Sequence, residues 1–175
     1  MANDVFIQFK DSKGTAVAGE STDDKFKDNW SDVLSWGVSS IQEQTLGSAT
    51  GGAGTGKVRL GDFQFSKYWD KASPPLLKQL YTGEHFKSVQ VVIRQAGGGD
   101  TPQKPYLVID MGEVFVTAQS ISGGGDRPAE SWTLTYGQIG YTYKPQKTDG
   151  TEDGAVVAGW DQITNKTWSP PGLSS

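Results

Sequence analysis

Apolar residues in this chain fall in runs too short for helices, cut by glycine and mostly alternating with a period of two. The runs are VFIQF (residues 5–9), VLSWGVSSI (33–41), VRLGDFQFSKY (58–68), SVQVVIRQ (88–95), YLVIDMGEVFVT (106–117), WTLTYGQIGYTY (132–143) and AVVAGWDQIT (155–164). A period of two puts one side of a strand in a core and the other in water. With 23 glycines and 8 prolines punctuating 175 residues, the pattern predicts a mainly β protein. The expected organisation is one domain over residues 1–164 with a tail over 165–175.

Three runs change phase beside a glycine. Trp132, Leu134 and Tyr136 are even; Ile139, Tyr141 and Tyr143, across Gly137, are odd. Leu60 against Phe63 and Phe65 across Gly61 repeats the slip, and Trp36 and Val38 against Ile41 repeat it again. A bulge at each restores a common inward face, and bent, bulged strands suit a small closed antiparallel barrel. One stretch departs from the pattern: in KASPPLLKQLYTGEH, Ser73 caps, Pro74 opens, and Leu76, Leu77 and Leu80 form a stripe ending before Gly83. That predicts a single short helix on the flank, with Lys78 and Gln79 outward.

Several chemistries are weighed and set aside. Gly51, Gly56 and Lys57 match a phosphate-binding GxxxxGK, but Val58 stands where a Ser or Thr must hold magnesium, and a strand follows instead of a helix. His85 is the sole histidine and sits just past the helix, where it serves the helix end better than catalysis. Asp149, Glu152 and Asp153 lack the spacing of a calcium loop. With no cysteine there is no thiolate metal site, and no cofactor is expected. A net charge of −4 with scattered basic residues argues against nucleic acid. No apolar run suggests a secretory leader or membrane insertion. Trp36 and Trp132 share parity with aliphatic neighbours and belong to the core, leaving Trp30, Trp69 and Trp168 for an interface. A carbohydrate-binding β module, stacking sugars on these tryptophans, is the alternative reading.

The connection over residues 43–57 far exceeds the ordinary span of roughly 4–6 residues. Out and back, it reaches roughly 23 Å at about 3.3 Å per residue. That is enough to touch a neighbouring subunit.

Taken together, DVFIQF, LSWGVS, the glycine-rich arm running into GKVRLGDFQFSKYWDKASPPL, GEHF, VVIRQAGG, YLVIDMGEVFVT, WTLTYGQIGYTYKPQKTDG and the GW at Trp160 closely resemble one family, the haemolysin-coregulated proteins (Hcp) of the bacterial type VI secretion system. The resemblance implies a small β-barrel flanked by one helix, assembled as a hexameric ring that stacks into a hollow, non-enzymatic tube. It further implies partners: other copies of itself, secreted effector proteins carried in the lumen, and the spike and sheath. Assembly in the bacterial cytoplasm would be followed by export on sheath contraction, without a signal peptide. Carried onto this chain, the arm that contacts adjacent subunits or the next ring is Thr45, Leu46, Gly47, Ser48, Ala49, Thr50, Gly51, Gly52, Ala53, Gly54, Thr55, Gly56 and Lys57. The second strand joins the tube wall. Its alternation points Leu34, Trp36 and Val38 inward, leaving Ser35, Gly37 and Ser39 to face the lumen.

Overall fold

The computed structural model describes residues 3–45, 54–95, 103–145 and 153–173. In chain order these form β1 (Asn3–Lys10), β2 (Ser31–Asp32), β3 (Ser35–Gly37), β4 (Ser40–Thr45), β5 (Gly54–Leu60), β6 (Phe63–Tyr68), α1 (Ser73–Thr82), β7 (His85–Gln95), β8 (Pro105–Ser122), β9 (Ala129–Tyr143), β10 (Val156–Asp161) and β11 (Lys166–Thr167). The fold is mainly β with one short helix among the described residues. Every ladder is antiparallel.

The main sheet runs β11-β10-β9-β8-β7-β1-β2, with β6 and β3 branching from β9, and β4 and β5 form a separate ribbon. It has free ends and is not closed into the expected barrel. The reason lies in the stretch over 33–41, which holds only β3 and the start of β4 instead of one strand, with the short β2 ending just before it. Between β1 and β6 the chain offers β1 only the two-residue β2 and β6 only the three-residue β3. The crossing between them adds single bonds, from Val33 N–H to the Val5 carbonyl (2.9 Å) and from Leu34 N–H to the Ser66 carbonyl (2.8 Å). Strands of two and three residues supply no continuous ladder there.

The glycine phase slips have two different causes. At Gly61 the expected long strand stops and turns: Gly61 N–H donates to the Ser39 carbonyl (2.8 Å), and the Tyr136 hydroxyl donates to the Gly61 carbonyl (2.6 Å). Burial pushes the Tyr136 hydroxyl far above the usual tyrosine range. At Gly137 the strand continues, yet the inward face reverses along a row crossing β7, β8 and β9 at Lys87, Glu113 and Gly137. Phe86, Val114 and Tyr136 face the core on one side of the row; Val89, Met111 and Ile139 face it on the other. All three strands flip together, so no residue is left over and no bulge is needed at Gly137. Glu113 takes a φ of 50° to make the bend. The ladder's actual irregularity falls between Val116 and Ala118.

The helix begins differently from expectation. Ala72 is its N-cap and Ser73 is the first helical residue, with prolines in the first turn and Gly83 closing it at φ 70°. Ser73 does not cap because its hydroxyl is committed elsewhere. It lies 2.8 Å from Lys67 Nζ, donates to Glu130 Oε1 and accepts from Asp70 N–H. Leu76 is fully buried, Leu77 and Leu80 pack beside it, and Lys78 is exposed.

Two cores lie on opposite faces of β1, β7 and β8. Ile7, Phe9, Val91, Ile93, Ile109 and Met111 enter the larger; Phe6, Val92 and Val108 enter the smaller, beneath Phe26 and Trp30 from the loop over 11–30. Burial on both faces explains why VQVVIRQ reads as a continuous apolar run in place of an alternating one. Burying a side chain such as Phe26 contributes about 1.5–3 kcal/mol.

Candidate functional site

Strands β3, β6 and β9 turn one face inward and a polar face outward. Ser35 pairs with Ser66, Ser66 with Ser131, and Ser131 with Ser120 of β8, so four serines line up across four strands. The hydroxyls of Ser35 and Ser66 are 2.6 Å apart. The next row on the same face is Gly37, Gln64 and Thr133. These seven positions carry no charge. Ser35, Gly37, Gln64, Ser66, Ser131 and Thr133 line a shallow depression of 400 Å³. Such a face offers hydroxyl and amide hydrogen bonds and no Coulomb attraction.

Of the residues expected on this face, Ser35 and Gly37 are exposed and share it. Ser39 lies beyond β3, exposed, its hydroxyl packed against Gly61 where a Cβ would sit 2.2 Å away. Trp36 and Val38 pack on the core as expected, Trp36 stacking on Phe63 at 6.1 Å. Leu34 does not: it is 52% exposed. It sits in the crossing between β2 and β3, where the strand is broken and the alternation no longer governs it. Ser66, Ser131, Gln64 and Thr133 escaped the sequence reading, although the alternation of FQFSKY and SWTLTY already turned them away from Phe63, Phe65, Trp132 and Leu134.

The arm begins as the β4–β5 ribbon, Thr45 pairing with Gly54 and Gln44 with Thr55. Leu46, Gly47, Ser48, Ala49, Thr50, Gly51, Gly52 and Ala53 lie outside the described residues. Gly54, Thr55, Gly56 and Lys57 belong to β5, so the glycine-lysine motif runs into a paired strand. A groove of 730 Å³ separates the ribbon from the sheet, lined by Lys57, Val58, Leu60, Ile139, Tyr141 and Trp160 among others. A two-stranded ribbon is marginal by itself, and Leu60, at the end of β5, packs against the larger core.

One cluster has the composition of a catalytic dyad. Ser73 Oγ lies 2.8 Å from Lys67 Nζ, the spacing of a serine and its lysine base. Both side chains are wholly buried, however, and Lys67 Nζ is 2.7 Å from Asp70 Oδ1 and 2.6 Å from Glu130 Oε1. An ammonium clamped by two carboxylates cannot accept a proton, and no substrate reaches the hydroxyl. The cluster ties the end of β6 to the starts of α1 and β9. His85 contacts Glu113 at 3.2 Å and packs against Phe115, so the helix end is not its partner.

Among the described residues, no group of three or more His, Cys, Asp and Glu side chains is placed to hold a metal ion. No helix there is long and apolar enough to cross a membrane. Asp153 is exposed, whereas Asp149 and Glu152 lie outside the described residues. The tryptophans form no platform: Trp30 and Trp132 are in the cores, and Trp69, Trp160 and Trp168 are half-buried. Trp30, expected at an interface, is instead enclosed by Phe26, 5.0 Å away edge to face.

The comparisons give these surfaces a context. The family model for type VI secretion system effector, Hcp, matches residues 6–143. The protein hcp1 of Pseudomonas aeruginosa is 40% identical over 164 residues, covering 92% of this chain and 96% of that one. The solved structure of a type six secretion system protein superposes with a TM-score of 0.81 at 32% identity, over 95% of this chain and all of that chain. Hcp1 from Salmonella typhimurium gives 0.72 at 31%, over 96% and all of its chain. The chain belongs to the Hcp family of type VI secretion system proteins. This is a family of structural secretion components and not of enzymes.

Proposed function

We propose that this protein is a tube subunit of a type VI secretion system, six copies forming a ring and rings stacking around a lumen. The observation that carries the reading is the charge-free face built on Ser35, Ser66, Ser131 and Ser120. A conduit must hold cargo without gripping it, and uncharged hydroxyls give weak, exchangeable contacts. Ser35, Gly37 and Ser39 line this lumen, and secreted effector proteins are its cargo. The arm from Thr45 to Lys57 meets an adjacent subunit or ring. Residues 1–164 act as one domain, with 165–175 as its tail. The assembled tube leaves the bacterial cytoplasm with the spike when the sheath contracts, reaching the medium or a target cell.

The deciding measurement is mass in solution with electron microscopy. A species of six chains with annular images is expected, each interface burying roughly 1,200–2,000 Å²; a strict monomer at every concentration overturns the reading. Ser35→Gln is expected to keep the ring while reducing cargo retention. Deleting residues 46–55 is expected to leave the fold intact and weaken ring stacking.

A further inference from the structure

Beyond β11 the chain lies in a groove shaped for main chain. Burial alternates there: Trp168, Pro170 and Gly172 are half-buried, while Ser169 and Pro171 are exposed. The floor is a pair of glycines facing each other in the β9–β10 ladder, Gly140 and Gly159. A Cβ on Gly159 would stand 2.2 Å from the Trp168 carbonyl oxygen, and one on Gly140 would stand 2.6 Å from Pro170. Only glycine lets the strap come this close. Trp168 N–H also donates to the Gly159 carbonyl at 3.0 Å.

At the far end both main-chain groups of Gly172 are read by side chains. Its N–H donates to Asp110 Oδ2 (3.0 Å), and its carbonyl accepts from Gln90 Nε2 (2.9 Å), which also donates to Asp110 Oδ1 (2.7 Å). Asp110 is 4% exposed. Burial pushes its carboxyl up, and the Gln90 and Gly172 donors only partly pull it back. A carboxylate kept dry and aimed at one backbone amide is a costly feature for a passive tail. The strap is anchored upstream by just two β10–β11 pairs.

We propose that this groove is a peptide-recognition site for an extended Trp-x-Pro-Pro-Gly segment, read through its main chain by Gly140, Gly159 and the Asp110–Gln90 pair, and that residues 168–172 of a second copy of this chain occupy it when the resident strap leaves. A tethered strap competes at an effective concentration on the order of millimolar, so the site is tested with the strap disabled. Gly172→Val does this in the full chain, because a β-branched residue resists the φ of 67° that Gly172 adopts, while the floor is untouched.

The probe is a fluorescein-labelled Trp-Ser-Pro-Pro-Gly-Leu peptide, followed by anisotropy. Saturable binding to the Gly172→Val chain is expected, at least tenfold weaker to the unaltered chain, and lost when Asp110→Ala or, independently, Gln90→Leu is added. The Asp110→Ala chain, with an intact strap and a broken groove, is expected to displace the peptide from the Gly172→Val chain. A Gly172→Val chain with an unchanged far-ultraviolet spectrum that shows no saturable binding overturns the site. So does binding indifferent to both groove substitutions. Failure of the Asp110→Ala chain to displace the peptide overturns exchange between copies.

Discussion

Lys67 and Arg94 are both buried cations held by two carboxylates, yet they stand in different surroundings. Lys67 lies in the interior among Asp70, Glu130 and Ser73, fully enclosed, with Glu130 Oε2 buried and without a hydrogen-bond partner. Arg94 lies on the other face of the sheet. It bonds Asp23 through two nitrogens and Asp4 at 3.3 Å, and its guanidinium stacks 4.9 Å from the Phe6 ring. Asp4 is 39% exposed at its side chain, so water shares the work there. The first cluster joins β6, α1 and β9, where no main-chain ladder connects the helix to the sheet. The second pins a loop. A dry ion cluster of this kind is costly to make and more costly to break; a wet one is tolerant of loss.

The largest effect should come from Lys67→Met, which strands two buried carboxylates. We expect a loss of about 3–5 kcal/mol in urea unfolding, much of it recovered by adding Glu130→Gln and Asp70→Asn. A loss under 1 kcal/mol would erase the distinction between the clusters. Arg94→Met should cost less, about 1.5–3 kcal/mol, the range for hydrogen bonds to charged groups, and should loosen the loop over 11–30. Faster amide exchange at Lys25 and Phe26, with no change in β9, is the signature that checks it.

The smallest effect is a pH dependence. Burial pushes the Asp23 carboxyl up, but the Arg94 bond and the N–H groups of Lys25 and Phe26 outweigh burial and leave it below its usual range. A lowered folded value means stability present above about pH 4 and lost as pH falls through that lowered value. The acid limb should therefore be shallower in Arg94→Met than in the unaltered chain; identical limbs would show that Arg94 does not hold Asp23 ionised.

The placement of Lys67 was legible in the sequence. The alternation that turns Phe63 and Phe65 inward turns Lys67 inward as well, and Glu130 follows from Trp132 and Leu134 in the same way. What no periodicity shows is that these two charges meet, because β6 and β9 lie more than sixty residues apart and only their ladder brings them together. The Ser35, Ser66, Ser131 and Ser120 row has the same character. Ser35, Ser66 and Ser131 were predictable as outward, but Ser120 shares the parity of the buried Val114 and Val116 and is turned outward only by the irregularity between Val116 and Ala118. The alignment of all four depends on register across four strands.

By itself, then, the sequence determined the strand periods, the position of the proline-opened helix and its stop at Gly83, and the family, because these rest on local spacing and residue type. Tertiary structure alone decided that β9 exchanges β6 for β10 as its neighbour, that β2 and β3 leave the sheet open, and that the C-terminal residues lie on Gly140 and Gly159. Each of these depends on which distant backbone donors and acceptors find one another, and that choice is made by the whole sheet at once.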